Sequence, residues 1–330
     1  MEINADTVVV VTGASAGVGR AAALRFARTG AKVGLIARDR EALQAVADEI
    51  AGMGARSAFT AIDVADADSM FAAAEWFESE LGPIDVWVND AMLTVFSPVI
   101  DMTPEEFRRV TEVTYLGAVH GTMAALGRMT PRERGHIVNV GSALAYRGIP
   151  LQSAYCGAKH ALRGFTASLR TELEHDHSPI TVSIVELPAM NTPQFDWART
   201  HLMHQPRPMG TIYQPEAAAE AIFQAARRGI PEYWVGLSTA MTIVGNMVSP
   251  ALLDRFLARS AVRGQMTKEP VHAGRRDNLE QPVTDLHRTH GRFDDQAKPR
   301  AMFVSGNAAR AAVIGIGALV CFGIGLAVGS

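Results

Sequence analysis

Tyr155 and Lys159 stand four residues apart in SAYCGAKHALRGF. On a helix that spacing puts both side chains on one face, one turn apart. A tyrosine hydroxyl ordinarily titrates near ~10, too high for easy proton exchange at neutral pH. A neighbouring ammonium favours the phenolate. The pair therefore reads as a general acid for a carbonyl oxygen, or as a base in the reverse direction. Ser142 follows the apolar run Ile137 to Val140. A serine at the carboxyl end of a strand is placed to hold the same oxygen.

A second group of residues could bind phosphate. The run Val8 to Val11 leads into TGASAGVGR, with Gly13, Gly17 and Gly19. Such a turn needs residues that tolerate positive φ and let a phosphate approach the backbone. A helix starting there directs free N–H groups and its positive dipole end at the anion. The next strand candidate ends at Ile36, Ala37 and Arg38. An acid there would bind ribose hydroxyls. A guanidinium there suits a 2′-phosphate, which favours NADP over NAD.

These residues need strands to carry them. Seven candidates are Val8 to Val11, Val33 to Ile36, Ala58 to Ile62, Val86 to Val88, Ile137 to Val140, Ile180 to Val185 and Tyr233 to Val235. Helical patterns separate nearly all of them. That alternation implies an α/β chain with a doubly wound parallel sheet. Composition agrees: 330 residues, 48% hydrophobic and 20% charged. A net charge of −3 offers nothing to a nucleic-acid backbone. Two cysteines cannot make a disulfide scaffold. Glu2 and Asp6, with no basic stretch before an apolar run, argue against a leader peptide.

With these motifs, the chain resembles the short-chain dehydrogenase/reductase family from about Thr7 to Gly236. The markers are TGASAGVG, Asp63-Val64, Asn89-Asp90-Ala91, Ser142, YCGAK, and Pro188 with Thr192. The resemblance implies a seven-stranded Rossmann sheet and hydride transfer between a nicotinamide and a carbonyl or alcohol. It implies Ser142, Tyr155 and Lys159 as catalytic residues. It implies that the cofactor meets Gly13, Ser15, Gly17, Val18, Gly19, Arg38, Asp63, Val64, Asn89, Ala91, Tyr155, Lys159, Pro188 and Thr192. Two positions depart from the family pattern. Met92 stands where a glycine is usual. Thr114 stands where an asparagine usually holds a relay water. Because of Thr114, a nucleotide-binding sensor or scaffold without turnover is the alternative reading. A sugar-nucleotide epimerase fits less well, since no large sugar domain follows Pro188.

Other residues read as ordinary. His175 and His177 precede a strand in a polar turn, with no third ligand, so no metal is expected. His287 and His290 read the same way, as surface residues. Cys156 faces away from the Tyr155 and Lys159 side of its helix and reads as packing. Met190, Phe195, Trp197, Leu202 and Met203 suggest an apolar pocket mouth.

The reading divides the chain into an oxidoreductase domain over 1–240, an apolar helical extension over 241–263, a polar arm over 264–300 and a tail over 301–330. Met241 to Val262, interrupted by Pro250, predicts two short helices. Ala311 to Val328 carries no charge. As a helix it spans roughly 27 Å, near a bilayer core of about 30 Å. Gly317, Cys321, Gly325 and Gly329 form a small-residue stripe. With Lys298, Arg300 and Arg310 on its near side, the tail reads as a membrane anchor that leaves the enzyme in the cytoplasm. The alternative is a helix docked on protein in a cytoplasmic enzyme. A small lipophilic substrate and a homo-oligomer complete the expectations.

Overall fold

The computed structural model describes residues 1–315. Seven parallel strands form the sheet: β1 (Val8–Thr12), β2 (Lys32–Ala37), β3 (Ser57–Ala61), β4 (Val86–Asn89), β5 (His136–Ser142), β6 (Thr181–Leu187) and β7 (Glu232–Val235). They match the seven candidate runs. An eighth strand, β8 (Phe303–Ser305), runs antiparallel along β7. The order is β8-β7-β6-β5-β4-β1-β2-β3.

Strand β1 shows why the fold is doubly wound. Val9 and Val11 of β1 enter one core, while Val8 and Val10 enter the other. Alternation of this kind, with every side chain apolar, buries both faces of a strand. The first core lies under α1 (Gly17–Ala27), α2 (Arg40–Gly52) and a helix further on that carries Ile222 and Phe223. The second lies under α3 (Ala67–Leu81), α4 (Pro104–Thr111), α5 (Gly117–Met129) and α6 (Ser153–His175). The helix with Ile222 and Phe223 is α7 (Pro215–Arg228). The connections leave β1 in one direction and β4 in the other. The crevice between their carboxyl ends is where such sheets bind ligands. Between α4 and α5, residues Glu112–Leu116 form a π-helical turn, a feature that often marks functional positions.

The C-terminal third packs more closely than its composition suggests. Helices α8 (Gly236–Val248) and α9 (Pro250–Gly264) form the expected pair, broken at Pro250. The polar arm has little regular structure, but it lies on the domain. Leu279, Val283 and Phe293 are buried within it. Phe303–Ser305, expected as part of the tail, is instead the edge strand β8. The physical reason is that β7 would otherwise leave a row of unpaired backbone groups. Beyond β8, Arg310 Nη2 donates to Glu232 Oε2 at 2.6 Å and to the Tyr146 hydroxyl at 2.7 Å. Most of the expected anchor, residues 316–328, lies outside the described residues. Among the described residues, no helix is long and apolar enough to cross a membrane.

Candidate active site

A cavity of about 690 Å³ opens at the carboxyl ends of β1, β4, β5 and β6. Its floor is the turn after β1. Gly13 has φ +72°, and a Cβ there would sit 3.0 Å from the Ala91 backbone. A Cβ on Gly19 would lie 2.3 Å from the Gly13 carbonyl oxygen. The turn is thus too tight for side chains at either position. Helix α1 then starts at Gly17 with no side-chain cap and no acid in its first turn. Its N-terminus is left positive, as an anion site requires.

Gly13, Ser15, Gly17 and Val18 line the floor; Arg38, Asp63, Val64 and Ala91 line one end. Arg38 does not pair with Asp39 or Glu41. Its Nη1 donates to the carbonyls of Leu279 and Glu280 at 3.2 and 3.1 Å, and its Nη2 donates to that of Asn278. Asp39 instead caps α2, accepting from the Ala42 amide at 3.0 Å. Asp63 accepts from the Ala65 amide at 3.0 Å and pairs with Arg109. Thr192 and Pro188 line the middle of the cavity.

Ser142, Tyr155 and Lys159 meet at the other end. Ser142 ends β5, and α6 carries the other two, one turn apart. Lys159 Nζ donates to the Val140 carbonyl at 2.6 Å and lies 5.7 Å from the centre of the Tyr155 ring. The expectation that Lys159 lowers the phenol's pKa is not met. Burial pushes Tyr155 well above its ordinary value; a hydrogen bond from Ser142 opposes this, while Cys156, Asp90 and Glu186 add to it. Burial likewise draws the Lys159 ammonium down, against Asp90 and Glu186. Low dielectric disfavours both charged forms.

Two residues expected beside the cofactor do not line the cavity. Gly19 is spent on the tight turn. Asn89 faces the seam between sheet and helices: it accepts from Trp87 Nε1 at 2.8 Å and donates to Thr122 Oγ1 at 3.0 Å and Asn139 Oδ1 at 2.9 Å. Thr114 is also engaged internally. Its hydroxyl accepts from the Leu93 amide and donates to the Leu93 carbonyl, both at 2.9 Å. Its one donor is thereby spent, and a single acceptor lone pair is left for a relay water. Met92, which stands where the family has a glycine, lines the cavity.

The apolar mouth is built by Met190, Phe195 and Trp197, joined by Met241, Leu253, Phe256 and Leu257 from α8 and α9. Leu202 packs behind it, on the cluster around Phe96, and Met203 is 83% exposed and takes no part. Sequence reasoning missed Glu186, directly opposite Gly141 in the β5–β6 register. It is buried without a partner for either oxygen, and burial, reinforced by Glu232, pushes it up to about 8. His287 was expected at the surface, yet its side chain is only 10% exposed and faces the cavity. Its burial follows from the arm folding back, which no local pattern reveals.

Residues 7–201 match the family model for short chain dehydrogenases. An uncharacterized oxidoreductase, YxnA, from Bacillus subtilis is 35% identical over 80% of this chain and 75% of its own. Dehydrogenase/reductase SDR family member 7B from Bos taurus is 34% identical over 54% of this chain, which spans 56% of that protein. Among solved structures, a metagenomic short-chain oxidoreductase in complex with NADP aligns with a TM-score of 0.60 and 28% identity. That alignment covers 70% of this chain and 97% of the other. An NAD+-bound xylitol dehydrogenase aligns at 0.55 with 28% identity, over 58% and 72%.

Proposed function

The chain belongs to the short-chain dehydrogenase family, and from that premise we propose that it interconverts lipophilic carbonyls and alcohols with NADP. As a family member it is an NAD(P)-dependent oxidoreductase acting on alcohol or carbonyl groups. The observation that carries the finer reading is the convergence of Ser142, Tyr155 and Lys159 at one end of a cavity that holds Arg38 at the other. The residues fit a dinucleotide. The β1 turn excludes side chains at Gly13 and Gly19, and α1 offers the pyrophosphate an N-terminus with no side-chain cap, its Gly17 amide being held by the Arg288 carbonyl. Arg38 retains two of its five donors after its three carbonyl contacts, enough for a 2′-phosphate.

The bound nicotinamide would supply or accept the hydride. The chain's own groups handle the oxygen and its proton. Ser142 donates a hydrogen bond to the substrate oxygen. Tyr155, kept neutral by its burial, gives its proton to that oxygen. Lys159, fixed by the Val140 carbonyl, stabilises the phenolate left behind.

The mouth supports a lipophilic substrate. Met241 and Phe256 line it while remaining 66% and 57% exposed. Each methylene buried there contributes about 0.8 kcal/mol, or roughly fourfold in affinity. NADPH oxidation measured across aldehydes and ketones of rising chain length should therefore show kcat/KM climbing until the cavity fills. A flat or falling series would remove the lipophilic reading, and a preference for NADH would remove the Arg38 reading.

Membrane attachment through the apolar tail is part of the same proposal. The exposed apolar residues of α8 and α9, with Arg255, Arg259 and Arg263 on α9, suit a lipid surface next to the mouth. A chain ending at residue 315 keeps β8 and the Arg310–Glu232 pair. It should stay soluble, while the full chain floats with phosphatidylcholine/phosphatidylserine vesicles. Equal flotation of the two would contradict the anchor.

A further inference from the structure

We infer that the C-terminal arm forms a wall of the adenosine site and that His287 on it recognises the 2′-phosphate of the cofactor. This rests on the NADP reading above and deepens it. The arm reaches the site at two points. The Arg288 carbonyl accepts from the Gly17 amide at 3.0 Å, at the start of α1. The carbonyls of Asn278, Leu279 and Glu280 hold the Arg38 guanidinium. Leu279 itself is fully buried in the core beneath α3 to α6, which anchors this stretch of backbone. His287 thus lies between the glycine turn and the end of β2, lining the same cavity as Ser15, Arg38 and Asp39.

The imidazole there faces one carboxylate, that of Asp39, and makes no aligned hydrogen bond. Its side chain is nine-tenths buried, and neither ring nitrogen has a hydrogen-bond partner. Nε2 lies 3.1 Å from Asp39 Oδ2, outside hydrogen-bonding alignment, and Trp197 packs on the ring at 5.2 Å between centres. A buried polar group left unsatisfied costs stability and calls for a water, ion or ligand that completes it. The surroundings select an anion. Arg20 and Arg38 both bear on the ring, and Asp39 is the acid facing it. A phosphate beside Asp39 would be repelled unless a proton sits between them. A protonated His287 would bridge the carboxylate and the phosphate, and Arg38 would complete the ion set. NADH has no phosphate at that position and would leave the imidazole as it is.

Binding of NADPH, NADH and adenosine 2′,5′-bisphosphate to the full chain, followed by fluorescence and calorimetry, tests this without turnover. His287→Ala should weaken NADPH and the bisphosphate at least tenfold and leave NADH within about twofold. His287→Lys should restore most of the loss. If His287→Ala weakens NADPH and NADH equally, the residue only packs the arm, and the inference is overturned. It is overturned as well if neither changes. A wild-type chain that binds NADPH no better than NADH would overturn the NADP reading and this inference together. Preference for NADPH that survives His287→Ala would overturn this inference alone.

Discussion

Tyr155→Phe should lower kcat by about 10²–10⁴-fold while leaving NADPH affinity within about twofold. The phenol lies in the cavity beside Ser142, with Lys159 Nζ 5.7 Å from its ring centre, and desolvation keeps it protonated at neutral pH. Removing the hydroxyl removes the proton donor but keeps the ring, so the packing of α6 against the sheet is preserved. Steady-state rates and a fluorescence titration of NADPH separate the two effects. Unchanged turnover in the variant would move the acid to another group, and Glu186 would be the first to test, since it is pushed up to about 8 and lies opposite Gly141.

Gly19→Ala should weaken NADPH binding by about 10²-fold, because the loop that meets the pyrophosphate must shift by the better part of an ångström. The new Cβ would sit 2.3 Å from the Gly13 carbonyl oxygen and 2.9 Å from Asp90 Oδ2. Neither atom can retreat freely. A Cβ on Gly13 would itself meet the Ala91 backbone at 3.0 Å, and Asp90, half-buried in the cavity wall, has its carboxyl held above the usual range by desolvation. Gly52→Ala, near the end of α2 with nothing within 4 Å, is the matched control and should bind NADPH like wild type. Titration of both variants, with a thermal melt to show that they fold, makes the comparison. Equal affinities would mean that the turn does not contact the cofactor.

The sheet was legible because its strands carry their burial in their composition. Val8 to Val11 sends neighbours to opposite cores, so an unbroken apolar run was sufficient. Tyr155, Lys159 and Ser142 were legible because a helix turn and a strand end fix them locally. The arm was not. Its contacts with the glycine turn and Arg38 span more than two hundred residues of sequence. Leu279 is a lone buried leucine in a polar stretch, without periodicity to announce it. Strand β8 is three residues long and follows a proline- and charge-rich segment, too short to show an alternation. Thr114 was read as a departure from the relay asparagine, but its hydroxyl is tied to the backbone of Leu93, twenty-one residues earlier. Local chemistry was visible in each case, whereas the partner supplied by tertiary folding was not.

The central claim is that this cavity transfers a hydride to a carbonyl carbon, with Tyr155 supplying the proton. NADPH deuterated at the nicotinamide C4 position, incubated with the full chain and a long-chain aldehyde or ketone, tests it directly by mass spectrometry of the product. The account predicts deuterium on the carbinol carbon with the wild-type chain, and its loss with Tyr155→Phe. NADPH that binds tightly yet passes no label to any carbonyl in the series would contradict it and leave a nucleotide-binding protein without turnover.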